Sequence, residues 1–163
     1  MIANIIDIIK GTTVDGPGFR TSIYFAGCRH NCPGCHNPES WDFSAGNPTS
    51  IDDLIGIIEE EDFDVTLSGG DPLYNPSFVA ELTERVHRLK HTVWLYTGFL
   101  WEDIMIDADI REAIRNVDVI VDSPFIIDLR DTDLLFRGSS NQRIIDVKAS
   151  LEKPDYTPVL WHR

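Results

Sequence analysis

At 163 residues, with 14 Lys and Arg against 27 Asp and Glu and a formal net charge of −13, the chain is an acidic protein. Its size allows about two-thirds of the unfolded surface to be buried, enough for a core without disulfide staples. The cations are scattered with no basic run, which excludes nucleic acid as a natural partner because phosphates demand concentrated positive charge, and no apolar run approaches the ~20 residues that cross a membrane. The N-terminus carries Asp7 and lacks the basic start and cleavage site of a signal peptide. The expectation is one domain over residues 1–163, cytoplasmic, with its thiols reduced.

Residues 2–9 are apolar and rich in isoleucine and predict a strand, followed by a Gly-Pro turn over residues 13–18. Residues 21–25 alternate and predict a second strand, which runs into a long loop reaching about residue 48. Ser50, with Asp53 three positions on, predicts a helix N-terminus, and Ile51, Leu54, Ile55 and Ile58 fall on one face. A short strand over residues 63–67 stops at Ser68-Gly69-Gly70-Asp71-Pro72. Pro76 opens a helix to about residue 90, with Val79, Leu82, Val86 and Leu89 on one stripe. Residues 92–96 predict a strand closed by Thr97-Gly98. Two short helices follow over residues 101–106 and 110–116, the second capped by Asp109. Residues 117–121 form a strand ending at Asp122-Ser123-Pro124, and residues 143–147 predict a last one.

The repeated order of strand, loop and helix indicates an α/β protein with a mostly parallel sheet. Its polar, glycine-rich segments follow strands, so they gather at the C-terminal edge of the sheet, where such folds bind ligands. Four distant patches thereby converge on one site: residues 28–36, residues 68–71, Thr97-Gly98 and Asp122-Ser123.

The chain has three cysteines, Cys28, Cys32 and Cys35, all in one loop. In a reducing compartment such a cluster points to a metal before it points to disulfides. A structural zinc site could recruit His30 or His36, but zinc knuckles usually come in pairs and no second knuckle exists. A redox pair formed by Cys32 and Cys35 leaves Cys28 without a role. An iron–sulfur cluster uses all three thiolates and leaves one iron free for an exchangeable ligand. The four tryptophans read as packing residues. No phosphate loop or dinucleotide fingerprint is present.

The spacing Cys28-x-x-x-Cys32-x-x-Cys35 resembles the signature of the radical S-adenosylmethionine family. Ser68-Gly69-Gly70-Asp71-Pro72 is similar to that family's Gly-Gly-Glu motif, with Asp71 in place of Glu. Asp15-Gly16-Pro17-Gly18-Phe19-Arg20 is similar to the glycyl-radical-enzyme activases, as are Tyr96-Thr97-Gly98, Asp122-Ser123-Pro124-Phe125 and the stretch from Arg137 to Arg143. The resemblance implies an incomplete, TIM-like α/β barrel whose open side admits a protein substrate. It implies one 4Fe–4S cluster on Cys28, Cys32 and Cys35, with S-adenosyl-L-methionine chelating the fourth iron. It places Gly69 and Gly70 against the methionine part of the cofactor, where a side chain would obstruct it, and lets Asp71, or nearby backbone carbonyls, accept from the ammonium group. Gly34, Cys35 and His36 would lie beside the adenosyl part, and Tyr96 and Asp122 would line the pocket. No catalytic acid or base is implied beyond cluster and cofactor. The implied partners are the large subunit of an anaerobic ribonucleoside-triphosphate reductase, on which a glycyl radical is made, and an external low-potential donor such as flavodoxin or ferredoxin. Activation of another glycyl radical enzyme is the near alternative, and a non-catalytic, zinc-stabilised binding module the distant one.

Overall fold

The computed structural model describes residues 1–162. Among the described residues the strands are β1 (Ile2–Thr12), β2 (Arg20–Phe25), β3 (Asn47–Ser50), β4 (Asp64–Gly69), β5 (Val93–Tyr96), β6 (Val119–Asp122), β7 (Arg143–Asp146) and β8 (Val159–Leu160). The α-helices are α1 (Ile51–Glu61), α2 (Pro76–Arg88), α3 (Trp101–Ile106), α4 (Ala108–Ala113) and α5 (Val147–Leu151). All eight strands join one sheet in the order β3-β1-β2-β4-β5-β6-β7-β8.

The sheet is mixed, not mostly parallel. Its centre, β2-β4-β5-β6, is parallel, whereas β1, β3, β7 and β8 pair antiparallel on the two flanks. The presence or absence of a crossover helix explains the difference between the centre and the β1–β2 and β6–β7 links. A parallel neighbour needs a crossover of a dozen or more residues, usually a helix. The Gly-Pro turn between β1 and β2 is too short for one, and the link from β6 to β7 holds only a 3-10 turn at Ile127–Leu129. Where α1, α2 and the α3–α4 pair intervene, the strands run parallel.

Helix α1 starts where the cap pattern places it. The Ser50 hydroxyl accepts from the Asp53 backbone N–H at 3.1 Å, and Ile51, Leu54, Ile55 and Ile58 are buried. Ser50→Ala is expected to cost about 1 kcal/mol. It should appear as a lower urea midpoint at unchanged slope; an unmoved midpoint would show the cap to be idle. Helix α4 is capped by Asp107 instead of Asp109: one Asp107 oxygen accepts from the N–H groups of Asp109 and Ile110 at 3.0 and 3.1 Å. The expected loop between β2 and α1 contains two elements, a 3-10 turn at Pro38–Trp41 and the edge strand β3, which pairs with β1 from Ile2 opposite Ser50. The polar run Asn47-Pro48-Thr49-Ser50 carries no apolar alternation, and an edge strand tolerates its proline.

The core fills the sheet's inner face with Phe25, Leu67, Leu95 and Ile120, against Leu54 and Ile58 of α1, Val79 and Leu82 of α2, and Trp101 and Ile104 of α3. Trp101 is wholly buried and its indole N–H donates to the Tyr156 carbonyl at 2.8 Å. Trp94 and Trp161 meet edge to face on the opposite side of the sheet. Arg20 is also buried. Its guanidinium donates to the Thr66 hydroxyl and the Val65 carbonyl, both at 2.8 Å, and to the Pro17 carbonyl at 3.1 Å, beside the face of Trp94. Arg20 therefore fastens the Gly-Pro turn to β4; its nearest carboxylate, Asp64, stands 3.9 Å away.

Candidate cluster and cofactor site

The loops that leave the C-terminal ends of β2, β4, β5 and β6 surround one cavity of about 490 Å³. Cys28, Cys32, Cys35 and His36 line it, together with Ser68, Gly69, Gly70, Tyr96, Thr97, Gly98 and Ser123. The four sequence patches therefore do meet, as strand-end geometry requires.

The cysteine loop is shaped by its backbone. Gly27 adopts φ +103°, and any side chain on it would run into the Phe43 ring. The N–H groups of Gly27 and Cys28 donate to the carbonyls of Ser40 and Trp41 at 2.7 and 3.3 Å, which ties the loop to the 3-10 turn behind it. The Cys35 N–H returns to the Cys32 carbonyl at 3.1 Å, closing a tight turn between two of the thiols. The Arg29 guanidinium lies 4.9 Å from the Phe43 ring centre and caps the loop from outside.

All three cysteines are free and half-buried. Burial pushes the Cys28 thiol up to about 11; the His30 backbone N–H opposes the rise and the charge of Asp71 adds to it. Burial raises Cys32 as well. The surroundings of Cys28 and Cys32 thus favour the protonated thiol, and a cationic centre would supply the charge that favours the thiolate ligand. Among the described residues no group of three His, Cys, Asp or Glu side chains is arranged to hold a single metal ion. Three soft sulfur donors facing a shared cavity fit an iron–sulfur cluster, whose several irons accept more widely spaced ligands.

The remaining predicted site residues divide. The His36 ring packs 5.1 Å from that of Phe125 on the cavity wall. Gly34 faces elsewhere: at φ +75° it sits under Ile127, whose Cδ1 lies 2.5 Å from where a Cβ would be. Gly69 and Gly70 do line the cavity, but the space their missing side chains leave is taken by backbone. A Cβ on Gly69 would strike Phe25, and one on Gly70 would lie 2.6 Å from the Gly27 carbonyl oxygen and 2.8 Å from that of Ser40. These glycines let the strand ends pass close to one another.

Asp71 and Asp122 stand behind the wall, both fully buried. Asp122 accepts from the Trp101 N–H at 2.9 Å and from Arg143 Nε and Nη2 at 3.1 and 2.5 Å. It holds the start of α3 to β7, while Arg143 reaches on to Glu102 with two bonds of 2.8 Å. Asp71 takes four donors.

Sequence reasoning missed several wall residues. Asp15 lines the cavity and accepts from the Tyr24 and Ser22 hydroxyls at 2.5 and 3.0 Å. The available signal was strand alternation, which sets Tyr24 on the face opposite Ile23 and Phe25. Tyr96 lines the cavity as expected, donating to the Phe136 carbonyl at 3.0 Å, and burial raises its hydroxyl pKa. The stretch from Arg137 to Gln142 proves to be wall: Gln142 accepts from the Gly138 N–H at 2.9 Å and donates to the Ser123 carbonyl at 3.1 Å, and Arg137 donates to the Gln142 carbonyl at 3.0 Å.

A mixed α/β sheet with three thiols on a strand-end loop defines a cluster-binding protein. A family model described as a 4Fe-4S single cluster domain matches residues 14–145. The chain is 34% identical over 140 residues to the anaerobic ribonucleoside-triphosphate reductase-activating protein of Escherichia coli K12, covering 79% of this chain and 89% of that one. It is 34% identical over 152 residues to the protein of that name from Pasteurella multocida, covering 86% and 96%, and 35% identical over 140 residues to that of Enterobacteria phage T4, covering 80% and 86%. The chain belongs to the family of anaerobic ribonucleoside-triphosphate reductase-activating proteins. Among the described residues no helix is long and apolar enough to cross a membrane.

Proposed function

We propose that this chain is a radical S-adenosylmethionine enzyme that makes a glycyl radical on the large subunit of an anaerobic ribonucleoside-triphosphate reductase. The observation that carries the reading is the meeting of Cys28, Cys32 and Cys35 with the glycine-rich ends of β4 and β5 in one cavity, in a chain of this family. Cys28, Cys32 and Cys35 would hold a 4Fe–4S cluster, and the cavity they line would take S-adenosyl-L-methionine. When bound, the reduced cluster would supply the one electron that cleaves a C–S bond of S-adenosylmethionine, chemistry that yields methionine, 5′-deoxyadenosine and a radical on the target glycine. In this reading the parallel strands β2, β4, β5 and β6 are the cofactor-facing part of an incomplete barrel, and the chain is a single domain.

The chain's own residues bind, orient and exclude. Gly69, Gly70 and Ser68 give the cofactor a wall of backbone and one hydroxyl. Cys35 and His36, with Phe125 behind His36, form the side toward the adenosyl part. The Tyr24 hydroxyl donates to Asp15, which fixes its hydrogen on a carboxylate of the same wall. Burial and Asp15 raise its pKa, so it stays neutral at working pH. Holding the reacting atoms in line accounts for much of the rate such an enzyme achieves. The electron comes from a flavodoxin or ferredoxin in the cytoplasm.

The test is anaerobic. The protein is reconstituted with iron and sulfide, reduced, given S-adenosylmethionine, and assayed for 5′-deoxyadenosine with and without a reductase large subunit. The expected result is cluster-dependent cleavage together with a glycyl radical signal in electron paramagnetic resonance. Cleavage without a radical on that subunit would move the substrate to another glycyl radical enzyme. A protein that binds zinc and takes up no cluster would sink the whole reading.

A further inference from the structure

The Asp71 carboxylate is wholly buried and already saturated. Its Oδ2 accepts from His30 Nε2 at 2.6 Å, from the Thr97 hydroxyl at 2.8 Å and from the Gly98 N–H at 2.9 Å. Its Oδ1 accepts from the Leu73 N–H at 3.0 Å. These donors come from the cysteine loop, from the loop after β5 and from the turn after Asp71 itself. A carboxylate has about four lone-pair sites, and no exposed face remains here for an ammonium group.

The His30 side is built as a seat. The ring meets Phe99 edge-on at 4.8 Å and lies 5.7 Å from Tyr74. Gly98 has no side chain where one would fall 2.6 Å from the ring. His30 stands two residues from Cys28 and two from Cys32, so fixing its ring fixes both neighbours.

We propose that Asp71 and His30 are a positioning pair that holds the cysteine loop and sets the charge environment of the cluster, and that Asp71 does not receive the ammonium group of S-adenosylmethionine; this rests on the cluster reading of the site. The pair lets the shorter Asp stand where the family motif has Glu, because the carboxylate reaches into the protein and not into the cavity. Its carboxylate stands directly behind the cysteine loop, bonded to the ring of His30, which lies between Cys28 and Cys32 in the chain. Reduction of the cluster adds one electron, drawn from an external one-electron donor, and breaks no bond. A fixed negative charge nearby disfavours the more negative, reduced form. Removing that charge therefore moves the midpoint potential upward.

The experiment uses the reconstituted protein, with dithionite as reductant, and compares wild type with Asp71→Asn, His30→Gln and His30→Ala. Iron and sulfide content, midpoint potential by paramagnetic resonance, and S-adenosylmethionine affinity by calorimetry on the oxidised holoprotein are read in parallel. Asp71→Asn should shift the potential to more positive values with affinity kept within about twofold. His30→Ala should lower the iron bound per chain, and His30→Gln, which keeps a donor, should recover most of it. An Asp71→Asn protein with unchanged potential and affinity weakened about tenfold or more would overturn the proposal in favour of direct cofactor contact. Should Asp71→Asn fail to fold, the histidine pair decides: full iron content in His30→Ala overturns the proposal. A wild-type protein that takes up no cluster removes the underlying reading first, a distinct failure visible before any variant is compared.

Discussion

Replacing any one of Cys28, Cys32 and Cys35 by alanine is expected to abolish cluster binding and cofactor cleavage while leaving a folded protein. With one thiol gone, a single loop supplies two sulfur donors, and no other cysteine exists to substitute. The loop's shape rests mainly on bonds that do not involve the thiols, although the Asn37 N–H also donates to Cys35 Sγ at 3.5 Å. It is held by the Gly27 and Cys28 N–H groups on Ser40 and Trp41, by the closing bond from Cys35 to Cys32, and by Arg29 over Phe43. All of these survive truncation of a half-buried thiol. The apoprotein variants should therefore unfold within ~1 kcal/mol of the parent, a typical cost for a change that opens no large cavity. Three measurements check this: iron and sulfide per chain, 5′-deoxyadenosine released under reducing conditions, and the urea midpoint of the apoprotein. Substantial cleavage retained in any one variant would refute that cysteine as a ligand. A collapse of apoprotein stability would mean that the thiols are structural.

Much of this molecule was legible before its structure, and the boundary between what was and what was not has physical causes. Helix α1 announced itself because cap, acidic third residue and apolar stripe agreed. The convergence of the cysteine loop with Gly69, Gly70 and Thr97-Gly98 followed from strand order alone, since loops after parallel strands share an edge. The flanking antiparallel pairs did not follow, because β3 and β8 are short edge strands whose pairing is a tertiary choice. Nor could a motif reveal which way its side chains turn. Asp71 was visible as an acid at a strand end, but its partners come from His30 and Thr97, which lie 41 and 26 residues away in sequence. Arg143 and Asp122 are 21 apart, and only β6–β7 pairing makes one the partner of the other. The 137–142 stretch carried family resemblance without local chemistry because its residues serve mainly one another and the carbonyls of Ser123 and Pro124.

The glycine motif yields the second large effect, and the structure changes what should be measured. From sequence, a side chain at Gly70 is expected to obstruct the cofactor. In the fold, the obstruction is internal: a Cβ at Gly70 would press on the carbonyls of Gly27 and Ser40, and one at Gly69 on the backbone of Phe25. Neither neighbour is the movable tip of a side chain. Gly69 also adopts φ +103°, which L residues rarely occupy. Gly69→Ala should thus combine backbone strain of about 1–3 kcal/mol with overpacking of about 1–3 kcal/mol. Gly70→Ala should show the overpacking alone, and Gly70→Val more of it. Against a total stability of roughly 5–15 kcal/mol, Gly69→Ala removes a large share. Gly56, in α1 with open space around its Cβ, is the control: Gly56→Ala should stabilise by about 0.5–1 kcal/mol. Urea unfolding of the apoproteins, with no cofactor present, reads these effects directly. If Gly69→Ala and Gly70→Val unfold like the parent and lose only S-adenosylmethionine affinity, the room at this turn is kept for the ligand. If stability falls in the order given, it is kept for the close passage of β2 and β4, and weakened cofactor binding follows from a disturbed wall.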